Sequence, residues 1–153
     1  MAIPACVQAF ILALLCGNPL LRSAWVTLLN SLILQLSEEV DLLTLQIARL
    51  NVLNQINSQI INSFEALKSK VSADLNLFLG PLQQFNGCVD LQKISKYIHL
   101  NAVGRKAAAL KKKLYEFNRV TNLVQVQNAI KQAKEQQITD LQNFVDAITE
   151  LCD

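Results

Sequence analysis

Apolar residues recur along this chain with a seven-residue beat. From Leu20 to Leu79 the sequence contains neither Gly nor Pro, and one heptad frame runs through the whole segment without a stutter. Its a positions are Val26, Ile33, Val40, Ile47, Asn54, Ile61, Lys68 and Leu75. Its d positions are Leu29, Leu36, Leu43, Leu50, Asn57, Phe64, Val71 and Phe78. Persistence of this kind predicts one long helix with a coiled-coil seam rather than an ordinary amphipathic helix. At 1.5 Å per residue such a helix would be about 90 Å long. A compact domain of this chain length has a radius of gyration of about 15 Å, so an elongated molecule is expected. A second apolar stripe, Leu42, Leu53, Ile56, Ile60 and Leu67, runs beside the first. Two stripes call for at least two neighbouring helices.

The breaks define four segments. Residues 1–18 form a short apolar N-terminal helix. "CGNPLL" ends it, with Gly17 suited to a left-handed stop, Asn18 to a cap and Pro19 to a first helical turn. Residues 19–79 are the long helix. Residues 80–88, "GPLQQFNGC", are a turn. Residues 89–153 are a second helical arm with a break near Gly104, its stripe being Leu110, Leu114, Phe117, Val124, Ile130, Leu141, Phe144, Ile148 and Leu151. The fold class is all-α: an elongated long-helix coiled coil or antiparallel helical hairpin, in an oligomeric bundle. Folding about residue 84 would set Glu38, Glu39 and Asp41 near Lys131 and Lys134. It would also set Asn54 and Asn57 near Lys113 and Glu116. The alternative is two arms that do not fold back and pair only with other chains.

Two amides interrupt the seam at Asn54 and Asn57. A polar residue there lowers stability but selects register and oligomer state, because a misaligned partner leaves the amide unpaired. The competing reading is that the seam faces water locally or drifts to the second stripe. On either reading the segment Val40, Leu43, Ile47, Leu50, Asn54, Asn57, Ile61 and Phe64 concerns assembly, as the seam of a homo-oligomer, dimer or trimer.

Composition sharpens this picture. Apolar residues are 52% and charged residues only 17% of the 153, against roughly 25% charged in an average soluble domain. Mean hydropathy is +0.27. The first 37 residues hold a single charge, Arg22, and a stretch of that kind is expected to be covered by other subunits, by the second arm or by lipid. Its apolar runs, Ala9–Cys16 and Ala24–Leu36, are each shorter than the roughly 20 residues of a spanning helix. The segment lacks the basic start and small-residue cleavage site of a signal peptide.

Charge is concentrated in "GRKAAALKKKLYEF", residues 104–117. Its basic patch, Lys106, Lys111, Lys112 and Lys113, beside Leu110, Leu114 and Phe117, could lie on anionic lipid or phosphate. A solubilising face is the favoured reading. A membrane is thus a secondary candidate partner, and nucleic acid is not expected.

Four cysteines, Cys6, Cys16, Cys88 and Cys152, form no CxxC pair, so zinc and thioredoxin-type motifs are not indicated. A hairpin gathers three of them at one end, where a Cys16–Cys152 bridge is geometrically allowed; free, partly buried thiols are the equal alternative. His99 is the only histidine, and no nucleophile-elbow, metal-ligand or phosphate-loop motif occurs. Neither catalytic residues nor a cofactor or metal is expected. Long heptads, Gln- and Asn-rich polar faces and an apolar end look like the small helical subunits of phage tails and baseplates, a likeness of style that fixes no residue. The expected function is a non-enzymatic structural subunit of a larger assembly, virion or cytoplasmic rather than secreted. The alternative is a membrane-active helical protein of holin or pore-forming type.

Overall fold

The structure is a computed structural model that describes residues 4–81 and 89–153. Its elements are α1 (Ala5–Phe10), a π-helical turn (Ile11–Leu15), α2 (Pro19–Leu79) and α3 (Val89–Cys152). No strand occurs among the described residues. The expected turn about residue 84 and Cys88 lie outside them.

Local chemistry accounts for the boundaries. Pro4 opens α1, its carbonyl accepting the N–H groups of Val7 and Gln8. The Cys16 N–H reaches back to the Ile11 carbonyl at 3.0 Å, the five-residue step of a π turn. Asn18 caps α2: its Oδ1 accepts the Leu21 N–H at 3.1 Å, and Pro19 fills the first helical position, where no N–H donor is required. Gly17 does not take the left-handed conformation expected of it, since no described glycine has positive φ. The π turn and an Asn18 N–H to Leu15 carbonyl bond make the connection with ordinary backbone angles.

Gly104 does not break the second arm. Helix α3 runs through it without interruption. A single helical Gly costs only about 1 kcal/mol relative to Ala, too little to open the hydrogen-bond ladder of a long helix.

The chain divides into two compact units. The first comprises Met1–Ala48 with Gln125–Asp153, and the second Arg49–Val124. In the first, segments of α2 and α3 run antiparallel: Arg22 meets the end of α3, donating from Nη1 to the Cys152 carbonyl at 3.2 Å, while Lys134 pairs with Glu39. Its core is Ile11, Leu15, Leu29, Val145, Ala147 and Ile148, flanked by Phe10, Trp25 and Phe144. Trp25 stands edge-on to both rings, at 5.9 Å from Phe10 and 6.4 Å from Phe144. Helix α1 and its π turn form a third layer on the α2–α3 pair. The π turn buries both Ile11 and Leu15 completely, each worth about 1.5–3 kcal/mol of apolar transfer. The Sγ atoms of Cys16 and Cys152 are bonded at 2.12 Å, fastening the end of this layer to the end of α3.

The second unit pairs the remaining parts of α2 and α3. Ile61, Leu79 and Leu110 are its buried apolar residues, and Asn57 is buried among them at 5% exposure.

Candidate functional site

Every described a and d side chain of α2 is buried or half-buried. Val40, Leu43 and Ile47 lie on the seam of the first unit; Leu50, Asn54, Asn57, Ile61 and Phe64 lie on that of the second. The seam expected between copies is therefore covered within the single chain by α3. The physical reason lies in α3, which has a matching heptad that its polar residues conceal. Val103, Lys106, Leu110, Lys113, Phe117, Val120, Val124, Gln127, Lys131, Lys134, Ile138, Leu141, Val145, Ile148 and Cys152 alternate at three- and four-residue steps, and all are buried or half-buried. Lysine stems pack along apolar surface while their ammonium groups reach water, so Lys106, Lys113, Lys131 and Lys134 serve as seam residues. Reading hydrophobicity alone picks Leu114, Ile130 and Leu151 in their place, and these three are exposed.

Asn54 meets Thr121 rather than Lys113 or Glu116. Its Nδ2 donates to Thr121 Oγ1 at 2.8 Å, and that hydroxyl donates to the Phe117 carbonyl at 2.9 Å. The expected meeting of the acidic cluster with Lys131 and Lys134 is present as the Glu39–Lys134 pair, and only the neighbour expected for Asn54 is displaced, by about one helical turn along α3. Asn54 Oδ1 is buried with no partner. Such an acceptor costs roughly 1–3 kcal/mol of desolvation.

The basic patch is split by the same geometry. Lys106 and Lys113 face the seam, whereas Lys111 and Lys112 are exposed. Lys113 Nζ sits 2.7 Å from Glu116 Oε2. That hydrogen bond, reinforced by the charges of Lys113 and Lys112 against a smaller opposing desolvation, holds the Glu116 carboxyl below the usual carboxylate range. Of the four, Lys113 is engaged by Glu116, and Lys111 and Lys112 are the exposed members.

Groups with chemical potential stay apart. His99 is half-buried on α3, Cys6 is an exposed free thiol, and Glu39 is engaged by Lys134. Among the described residues no three His, Cys, Asp or Glu side chains come close enough to hold a metal ion.

What the single chain leaves open is most of its second apolar stripe, Ile60 being half-buried. Leu42, Leu53, Ile56 and Leu67 are 44–60% exposed, and Leu28, Leu34, Leu45 and Val52 of α2 are exposed as well. Helix α2 also contains an 18-residue window of mean hydropathy 1.2, apolar enough to cross a membrane, of which 6% is buried. The Ala24–Leu36 run, too short by itself, is extended by its helical context. No family model, no curated protein and no solved structure matches the chain.

Proposed function

We propose that this protein is a non-enzymatic structural subunit, a coiled-coil component that associates with copies of itself inside a larger assembly such as a virion's tail or baseplate. One observation carries the reading: after α3 has covered the α2 seam, Leu53, Ile56 and Leu67 of the second unit's stripe are still exposed, with Ile60 half-buried beside them. Contiguous apolar stripes of this kind on a soluble chain mark interaction surfaces. The disulfide adds a setting. Such bonds persist on virions, at cell surfaces and in secretory compartments and are rare in the cytosol, which favours a particle or exterior location over a cytoplasmic one. Light scattering coupled to size exclusion, across a wide concentration range, tests the proposal. A mass of two or more chains is expected, and a strictly monomeric chain at all concentrations overturns it.

A second reading rests on the window in α2, which is apolar enough to span a bilayer and is mostly unburied, unlike the core helix of a soluble protein. It makes the protein membrane-active, with Lys111 and Lys112 toward anionic headgroups. Flotation with phosphatidylglycerol vesicles separates the two: co-flotation supports the membrane reading, and its absence with a multimeric mass supports the assembly.

A further inference from the structure

Charge is divided unevenly along this chain. The second unit holds eleven Lys and Arg against four Asp and Glu, a net charge of +7, and the first unit holds three against eight, a net charge of −5. Helix α3 carries much of both. From Lys93 to Val124 its only acid is Glu116, which Lys113 engages. Lys93, Arg105, Lys111, Lys112 and Arg119 are exposed on this stretch, and no ion pair among the described residues engages them. From Glu135 to Cys152 the same helix has no Lys or Arg. Asp140, Asp146 and Glu150 are exposed there. Asp140 and Asp146 accept from neutral amides, Gln136 at 2.8 Å and Gln142 at 3.0 Å, so their charges stay uncompensated.

We infer that two copies of this chain pair through the outward faces of their α3 helices, antiparallel, the basic stretch of one copy's second unit lying against the acidic stretch of the other copy's first unit. The inference rests on the assembly reading above and goes beyond it by naming the surface and the force. Charge complementarity selects the partner. A phosphate surface, of lipid or nucleic acid, would take the basic stretch and repel the acidic one on the same helix; a second copy satisfies both. The spacing fits an antiparallel register. Arg105, Lys112 and Arg119 recur at seven-residue steps, two helical turns apart, and so share one strip of the helix. With the two-fold axis near Ala129, Lys112 of one copy stands opposite Asp146 of the other, and Arg119 falls within one position of Asp140. Two-fold symmetry makes each contact twice. Val126 and Ile130, 55% and 43% exposed, lie close to that axis and supply an apolar centre. Opposed charges of this kind fix register and exclude wrong alignments: a parallel pair would set Lys against Lys and Asp against Asp.

The test is a charge swap on the intact, oxidised chain, read as mass against concentration by sedimentation. One variant is Lys111→Glu/Lys112→Glu and the other Asp146→Lys/Glu150→Lys, all four positions being exposed. Each variant alone sets like charges against each other at both contacts and is expected to self-associate roughly a hundredfold more weakly than wild type. Mixed in equal amounts, the two are expected to recover a one-to-one pair, because each now carries the charge the other lacks. If a reversal variant has lost helicity by circular dichroism, the neutral Lys111→Gln/Lys112→Gln chain carries the comparison, with a smaller weakening expected. Raising salt from about 0.1 to about 1 M, which shortens the screening length from about 10 to about 3 Å, is expected to weaken the wild-type pair. A multimer indifferent to both reversals, or two weakened variants that do not recover on mixing, refutes this surface and leaves the assembly reading standing. Flotation with phosphatidylglycerol vesicles that Lys111→Glu/Lys112→Glu abolishes, while its mass stays that of wild type, gives the basic stretch to lipid and refutes the inference. A wild-type monomer at all concentrations refutes both.

Discussion

Reducing the Cys16–Cys152 bond is the perturbation with the largest calculable effect. The two residues are separated by 136 positions, so the cross-link closes almost the whole chain into a loop. In the chain-entropy account, denying that loop to the unfolded ensemble stabilises the folded state by about 5 kcal/mol at 25 °C. Removing native disulfides from folded domains typically costs about 2–5 kcal/mol. The native contacts at this end do not depend on the bond: Ile11, Leu15 and Ile148 stay buried by packing, and Arg22 still reaches the Cys152 carbonyl. Reduction should therefore leave the helical circular dichroism of the native protein unchanged while shifting its urea midpoint. With an m-value of about 2 kcal/mol/M, the midpoint falls by roughly 1–2.5 M. The assay is paired urea titration with and without a phosphine reductant. A Cys6→Ser chain serves as the control, since Cys6 is exposed and unbonded. Peptide mapping after alkylation under non-reducing conditions must recover residues 16 and 152 in one linked peptide. Coincident oxidised and reduced transitions, with the linked peptide present, would refute the loop-entropy reasoning; absence of the linked peptide would refute the pairing itself.

Four further outcomes follow from the same geometry. Ile148 is 1% exposed at the centre of the first unit's core, so Ile148→Ala should destabilise by about 2–5 kcal/mol in chemical denaturation; a loss under 1 kcal/mol would mean the layer carrying Ile11 and Leu15 is not docked there. Gly104 lies inside a continuous helix, and a methyl group added there would meet nothing within 4 Å, so Gly104→Ala should raise stability by about 0.5–1 kcal/mol, and a destabilised variant would point to a bend at this site. Asn54→Val removes the unpartnered buried acceptor Oδ1 at an a position and should raise the melting temperature while broadening the distribution of oligomeric masses; a lower melting temperature would show that its bond to Thr121 outweighs that penalty. The Glu116 carboxyl is held below its ordinary range chiefly by the Lys113 hydrogen bond, so its stabilising effect is present above the unfolded carboxylate range and is lost as pH falls through the depressed folded value. Lys113→Gln should move the Glu116 titration, followed by carboxyl carbon NMR, upward, and an unmoved titration would sink that assignment.

The α2 frame was legible because its seam is written in Val, Ile, Leu and Phe at a regular interval, with no Gly or Pro to interrupt it. The capping residues Asn18 and Pro19 were legible because backbone donors at a helix start admit few solutions. The α3 frame was not legible in the same way. Five of its fifteen described seam positions, Lys106, Lys113, Gln127, Lys131 and Lys134, are polar, and a long aliphatic stem bearing a charge reads as surface until a neighbouring helix lies against it. The split of the basic patch and the pairing of Asn54 with Thr121 follow from that concealed frame.

The sequence by itself determined that this is a chain of long helices: helical periodicity is a local property, fixed by side chains a few residues apart. Only the tertiary structure decided which stripe is covered by the chain's own second arm and which is left outward. It also decided that Cys16 meets Cys152 and that a π turn folds the N-terminal layer onto Trp25 and Phe144. Those outcomes depend on contacts between residues more than a hundred positions apart, where many registers have similar apolar content. The choice among them rests on packing, ion pairing and one covalent bond acting together.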